Sequence, residues 1–315
     1  MQIIYHHTTG SWMTQQLHAL SGAAGLNVVA VAPDQPYRLG KALADAEVIW
    51  HVLEPLTADH ISAAPRLRLI QKIGVGVNTI DVGAASARGV AVCNMPGTNS
   101  RAVAEMTLAL MLNCLRRIVK IHVQTRTGSG WGPPPDTLEA CGEISGRTVG
   151  LVGNGAVPQI LAPILVAMGA RIIYTATSRN EESVGEWRSL QQLLAESDIV
   201  SLHVPLTRVT TRMFDRQTLG LMKPGAIFIN TARGELVDQS ALIDALTTER
   251  LAAAGLDVFA PEPIPPEDPI LSLENVVFTP HVAWQTRETL ARSLDAATEN
   301  CRRLRAGEPL LNQVN

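Results

Sequence analysis

The chain of 315 residues is 46% apolar and only 17% charged, too hydrophobic for a solvated coil, and its length predicts two domains with a core that needs no covalent staples. Its 26 basic and 29 acidic side chains leave a formal charge of −3, so no positive field draws it to phosphate backbones or anionic lipid. Nucleic acid and membrane surfaces are set aside as partners.

The opening residues read as a strand with no basic region ahead of an apolar stretch, and no run approaches the eighteen or so apolar residues of a spanning helix. Short β-branched runs then alternate with alanine- and leucine-rich amphipathic segments, which predicts βαβ units, a parallel sheet and the α/β class. Strands are expected at 2–6, 28–31, 48–52, 67–73 and 90–94, with helices such as 12–23 and 58–64 between them. Residues 102–123 form an unbroken helical pattern long enough to reach a second sheet. Residues 128–135, Gly-Ser-Gly-Trp-Gly-Pro-Pro-Pro, forbid regular structure and suit a surface arm between oligomer subunits. A second strand series follows at 148–152, 171–175, 198–204, 226–230, 253–258 and 276–279. A last helix is expected over 284–304, with Glu299 four residues before Arg303 on one face. Two doubly wound domains follow, one of residues 1–97 plus 284–315 and one inserted at 98–283.

Cys93, Cys114, Cys141 and Cys301 are widely spaced without a CxxC pair. They fit neither a disulfide framework nor a zinc ribbon, and a reducing, cytoplasmic setting is expected. The eight histidines include the adjacent His6 and His7, but none has HxxxH or HExxH spacing, so no metal is expected.

The strand at 148–152 runs into Gly153, Asn154, Gly155, Ala156, Val157 and Pro158, then a helical stretch. A mononucleotide-binding turn needs glycines here so that the backbone bends sharply and approaches a pyrophosphate held on helix amides. Pro158 stands in place of the third glycine, where a first-turn amide is not needed for the helix. Folds that prefer NAD place a carboxylate at the end of the next strand to bind the ribose hydroxyls. Thr177, Ser178 and Arg179 occupy that stretch instead, with hydroxyls and a guanidinium suited to a 2′-phosphate. NADP is favoured, with NAD through hydroxyls alone as the other reading.

Three later segments each begin at the end of a predicted strand, where open α/β sheets bind their ligands. They are 230–238 (NTARGELVD), 256–263 (LDVFAPEP) and 279–284 (TPHVAW). With 72–81 (KIGVGVNTID), 94–99 (NMPGTN) and 102–105 (AVAE), they resemble in order, over nearly the whole chain, the D-isomer-specific 2-hydroxyacid dehydrogenase family. The resemblance implies a Rossmann-type cofactor domain inserted into a flavodoxin-like substrate domain. It makes Arg233 the substrate-binding arginine, Glu262 the carboxylate partner and His281 the proton donor and acceptor. The chemistry asks for these types. Hydride reduction of a 2-oxo acid puts charge on the carbonyl oxygen, so a donor titrating near neutrality must reach it. A carboxylate on the other ring nitrogen fixes the tautomer and favours the imidazolium, and a guanidinium fork binds the substrate carboxylate.

The resemblance further implies that Val75 and Gly76, after Gly74, receive the substrate carboxylate on backbone amides. His203, Val204, Pro205 and Thr207 would line the adenosine, Thr231 and Ala232 the nicotinamide ribose, and Asp257 the carboxamide. Thr98 and Ala283 would flank the nicotinamide. Asp257 could equally cap a turn. Relatives commonly pair through the inserted domain, so a homodimer is expected.

Ala156 replaces the usual arginine of the glycine turn, which leaves pyrophosphate binding to backbone amides. Trp284 either narrows the pocket or packs at the domain junction, and the choice among glyoxylate, hydroxypyruvate and larger 2-oxo acids stays open. A phosphite dehydrogenase-like enzyme is one alternative; a formate enzyme is disfavoured because the histidine's partner there is typically glutamine. A nucleotide-sensing, corepressor-like binding protein is the non-enzymatic one.

Overall fold

A computed structural model describes residues 1–23, 25–128, 131–132 and 135–315. The chain divides into two compact units, residues 1–99 with 286–315, and residues 100–285.

In the first unit, β1 (Gln2–His6), β2 (Asn27–Val31), β3 (Val48–His51), β4 (Leu69–Lys72) and β5 (Ala91–Cys93) build an all-parallel sheet in the order β2-β1-β3-β4-β5. This is the flavodoxin-like order. The connections carry α1 (Ser11–Ala23), α2 (Pro36–Leu43), α3 (Ala58–Ser62) and α4 (Val82–Ala87). A parallel sheet is covered on both faces, so its strands read as nearly continuous apolar runs. Ile4, Ile49 and Ile70 meet Leu39, Leu43 and Ile61 on one face. On the other, Gln71 accepts from the Asn300 amide at 2.6 Å, which ties the C-terminal helix (Arg287–Ala306) to β4. That pair is buried and fully bonded: the Asn300 Nδ2 also donates to the Leu311 carbonyl, and its Oδ1 accepts from the Leu311 amide. A buried polar pair is tolerated only on such terms.

The second unit opens with α5 (Ser100–Arg116), α6 (Ile118–Arg126) and α7 (Pro135–Glu139). It continues through β6 (Thr148–Val152), α8 (Ala156–Ala167), β7 (Arg171–Thr175), β8 (Glu186–Trp187), α9 (Leu190–Glu196) and β9 (Ile199–Leu202). It ends with α10 (Arg216–Gly220), β10 (Ala226–Asn230), α11 (Gln239–Thr247), β11 (Leu251–Leu256) and β12 (Val276–Phe278). All seven strands run parallel in the order β12-β11-β10-β9-β6-β7-β8. Counted within this sheet the order is 3-2-1-4-5-6-7, the Rossmann arrangement with one added strand. The expected α/β class with two doubly wound sheets is what the chain adopts.

Two expected helices differ. The pattern over 102–123 is broken at Arg117, which sits in the left-handed region (φ 52°) between α5 and α6. The returning chain takes the last carbonyl groups of α5: the Gly142 amide donates to Leu115 at 2.8 Å and the Cys141 thiol to Arg116. The final helix begins at Arg287 rather than 284, because the Thr286 hydroxyl accepts from the Thr289 amide at 3.1 Å and caps it. The two-residue edge strand β8 was not anticipated. Of the arm over 128–135, Ser129, Gly130, Pro133 and Pro134 lie outside the described residues, while Trp131 is 96% exposed.

Candidate active site

In open α/β sheets a ligand site lies beyond the carboxyl ends of the strands where their order reverses, and in the second unit that point is between β6 and β9. Gly153 follows β6 at φ 111°, and its amide donates to Thr175 at 2.8 Å. A Cβ there would stand 2.5 Å from the His203 carbonyl oxygen, so the turn admits only glycine. Gly155 caps α8, and a Cβ on it meets nothing within 4 Å. The space beside Gly155, at the start of α8, is therefore open, and the nearby amides of Ala156 and Val157 form the positive end of a 12-residue helix. Pro158 is buried in that first turn, where an amide has no helical partner. The Asn154 side chain donates to Ser183 at 2.6 Å. This cradle fits a pyrophosphate.

Beyond β7, Thr177, Ser178 and Arg179 are exposed. The Tyr174 hydroxyl donates to the Asn180 carbonyl at 2.8 Å and accepts from the Asn180 amide at 3.0 Å, closing this loop without a carboxylate in 176–180. His203, Val204, Pro205 and Thr207 follow β9. Burial pushes the His203 imidazole down to about 3, so it is neutral, and its Nε2 pairs with Ser201 at 2.9 Å.

The adjacent strands β10, β11 and β12 deliver the remaining groups. After β10, the Asn230 side chain accepts from the Ala232 amide at 3.0 Å and donates to the Arg233 carbonyl at 2.8 Å, fixing a tight turn. Thr107 gives its hydroxyl proton to Val103, so the Thr231 hydroxyl donates to Thr107 at 3.0 Å. The Arg233 guanidinium donates to the Ala232 carbonyl at 2.6 Å. Burial draws Arg233 below its usual range, against the charges of Glu262 and Glu235. The Glu262 carboxylate accepts from the Phe259 amide at 2.9 Å and meets His281 Nδ1 at 2.7 Å. Burial would raise the Glu262 carboxyl, but the bond to His281, the Phe259 amide and the Arg233 charge outweigh it and hold the group below the usual carboxylate range.

His281 adopts φ 53°, unusual for a residue with a Cβ. Its amide donates to the Asp257 carbonyl at 2.7 Å, and its own carbonyl accepts from Trp284 Nε1 at 3.0 Å. The buried Asp257 carboxylate accepts from the Thr279 hydroxyl at 2.5 Å and from the Val282 and Ala283 amides at 2.9 Å. Burial raises the Asp257 carboxyl against those bonds. Asp257 therefore caps the turn that carries His281. In the first unit, Gly74 takes φ 143° after β4. Its carbonyl accepts from the Met95 amide at 2.8 Å and that of Val75 from the Asn94 side chain at 2.9 Å, which fixes the loop carrying Val75 and Gly76. Thr98 donates to the Met95 carbonyl at 3.0 Å. Arg233, Glu262 and His281 thus stand together at one sheet edge, with Asp257 beneath.

Residues 108–283 match the family model described as "D-isomer specific 2-hydroxyacid dehydrogenase, NAD binding domain". Over 290 residues the chain is 39% identical to the glyoxylate reductase of Korarchaeum cryptofilum, covering 90% of this chain and 87% of that protein. It is 41% identical over 280 residues to the glyoxylate reductase of Aeropyrum pernix, covering 86% and 83%. This chain belongs to the D-isomer specific 2-hydroxyacid dehydrogenase family. A solved structure, the TT0316 protein from Thermus thermophilus, superposes with a TM-score of 0.89 at 36% identity and covers 100% of both chains.

As a 2-hydroxyacid dehydrogenase the protein is an oxidoreductase that works with a nicotinamide cofactor. No described helix is long and apolar enough to cross a membrane, and no group of three metal-ligating side chains occurs among the described residues. Two site-building residues in this dehydrogenase escaped the sequence reading. A Cβ on Gly234 would overlap the backbone at Phe259 and stand 2.6 Å from the Ala260 amide, so this glycine lets the Arg233 turn and the Glu262 loop touch. Its place directly after Arg233 was the available signal. Thr107, on α5, anchors Thr231, and no local pattern marked it.

Proposed function

We propose that this enzyme reduces a small 2-oxo acid to the D-2-hydroxy acid, with NADPH favoured and NADH usable. In this reading residues 98–283 bind the dinucleotide, and residues 1–97 with 284–315 bind substrate. The pairing of His281 with Glu262 at 2.7 Å, inside the field of Arg233, carries the reading. A bound reduced nicotinamide supplies the hydride that adds to C2. Arg233 binds the substrate carboxylate and polarises the carbonyl. Glu262 holds Nδ1, which assigns proton delivery to Nε2 of His281; the proton goes to the oxygen that gains charge, and the product is an alcohol. Val75 and Gly76 take the same carboxylate on backbone amides. The amides of Gly153, Asn154, Gly155, Ala156 and Val157 hold the pyrophosphate. Thr177, Ser178 and Arg179 support NADP because no carboxylate stands there to repel a 2′-phosphate. His203, Val204, Pro205 and Thr207 are assigned to the adenosine, Thr231 and Ala232 to the ribose, and Asp257 and Ala283 to the nicotinamide side.

The assignment is tested by oxidation of NADPH and NADH in parallel with glyoxylate, pyruvate and hydroxypyruvate. Turnover that is lost in His281→Ala and Arg233→Ala supports it; cofactor binding without turnover on any acid overturns it in favour of a sensor. We also propose a homodimer formed through the second unit. α6 buries none of its residues, and Ile118, Val119 and Val123 on it are exposed, as is Leu138 on α7, an excess of exposed apolar side chains of the kind found at interfaces. A monomer by sedimentation at micromolar concentration would overturn this.

A further inference from the structure

The loop that follows β7 carries opposed charges in a short span. Thr177, Ser178 and Arg179, assigned above to a 2′-phosphate, are followed by Glu181 and Glu182. One guanidinium thus stands against two carboxylates, and all five residues are exposed. The flanking arginines add no net charge, because Arg171 and Arg188 are paired with Glu186 and Glu196. A loop of this composition repels a phosphate unless its basic and acidic halves are held apart.

The hydrogen bonds hold them apart. The buried Tyr174 gives its hydroxyl proton to the Asn180 carbonyl at 2.8 Å and accepts from the Asn180 amide at 3.0 Å, so both backbone groups of the residue between the halves rest on one core side chain. Beyond Asn180 the chain makes a separate turn. The Ser183 amide donates back to the Asn180 carbonyl at 3.3 Å and the Glu182 amide to the Asn180 side chain at 3.0 Å, which puts Glu181 and Glu182 at the two central positions. The far end of this turn is tied to the glycine turn by Asn154 Nδ2, which donates to Ser183 Oγ at 2.6 Å. The basic half has its own anchor, since the Ala176 carbonyl accepts from Trp187 Nε1 at 3.4 Å.

We propose that Tyr174 and Ser183 are positioning residues for coenzyme choice: fixed at Asn180 and at Ser183, the acidic turn is kept from swinging toward a 2′-phosphate held by Thr177, Ser178 and Arg179. The inference rests on the proposed preference for NADPH. Glu181 lies two residues beyond Arg179, at most about 7 Å of chain, which is inside the roughly 8 Å over which physiological salt screens charge. At that range a few ångströms decide how strongly a carboxylate repels the phosphate. NADH carries a ribose hydroxyl in place of the phosphate and is not repelled.

The test is the ratio of dissociation constants for NADPH and NADH, read from nicotinamide fluorescence with the full chain and no 2-oxo acid present, so that it does not depend on turnover. The wild type is expected to bind NADPH the more tightly. Tyr174→Phe keeps a ring in the core and removes the anchor; it is expected to weaken NADPH by about five-fold or more with NADH little changed. Ser183→Ala, the second variant should Tyr174→Phe not fold, lowers the preference in the same direction. Glu181→Gln with Glu182→Gln restores it in the Tyr174→Phe background. A Tyr174→Phe variant that weakens both coenzymes alike, or leaves the ratio unchanged, overturns the positioning role while the NADPH reading stands. So does a preference that the two glutamines fail to restore. A wild type that binds NADH as tightly as NADPH overturns the coenzyme reading and the positioning role with it.

Discussion

The left-handed backbone of His281 (φ 53°) is sustained by bonds at both ends of the residue, from its amide to Asp257 and from Trp284 to its carbonyl. Such a conformation costs on the order of 1 kcal/mol and persists only where its surroundings enforce it. Trp284→Phe keeps an aromatic side chain and removes the N–H. The expected loss is about 1 kcal/mol, read as a roughly five-fold lower kcat with KM little changed; a change confined to KM would instead make Trp284 a pocket wall. Glu262→Gln is expected to lower kcat/KM by about 10²-fold, because the carboxylate that holds Nδ1 of His281 at 2.7 Å is gone. In the wild type the Glu262 carboxyl is held below the usual range. It therefore stays ionised to lower pH than an ordinary carboxyl, and its support of the histidine is lost only as pH falls through that lowered range; an acid limb of the pH–rate profile that lies lower in the wild type than for an ordinary carboxyl checks the sign. The placement of Arg233, Glu262 and His281 was legible because each stands in a short motif that follows a strand. The Trp284 donor was not, since a sequence does not say where an indole N–H points.

Among the elements, the strands were the most legible, because buried parallel strands are short β-branched runs with few other readings. β8 was missed because its two residues are exposed and held by ion pairs, Arg171 and Arg188 with Glu186, instead of by an apolar pattern. The break at Arg117 was missed for a related reason. A left-handed residue usually announces itself as glycine, and here the chain at Cys141 and Gly142 captures the helix carbonyls from more than twenty residues away. The turn after β10 and the loop after β11 depend on Gly234 in the same non-local way. Gly234→Ala forces those backbones apart, with an expected destabilisation of about 2 kcal/mol or more. Activity should fall further than stability explains, because Arg233 and Glu262 separate; calorimetry beside kcat/KM distinguishes the two effects.

At the scale of the molecule, acid is expected to destabilise the first unit more steeply than its carboxylates alone would. Burial, and the charges of His60 and His7, lower His6 from 6.5 to about 4; His7 and His51 are lowered as well, with Lys72 beside them. A histidine depressed in the folded state leaves the protein fully stable above 6.5, and stability drains as pH falls toward 4 because the unfolded chain takes the proton first. His6 alone accounts for about 2 kcal/mol at pH 5. Unfolding free energies from denaturant titration at pH 7 and 5 should differ by about that much or more, and the difference should shrink in His6→Gln; a flat profile would mean the imidazoles are hydrated. The first unit also closes through Asn300, whose amide meets Gln71 from beyond the whole of the second unit in sequence. On the ribosome, the side-chain oxygen of Gln71 must therefore wait for its donor while some two hundred residues emerge. The inserted unit is contiguous and can mature first, so a nascent chain stalled before Asn300 should already display a finished nucleotide fold beside an unfinished neighbour.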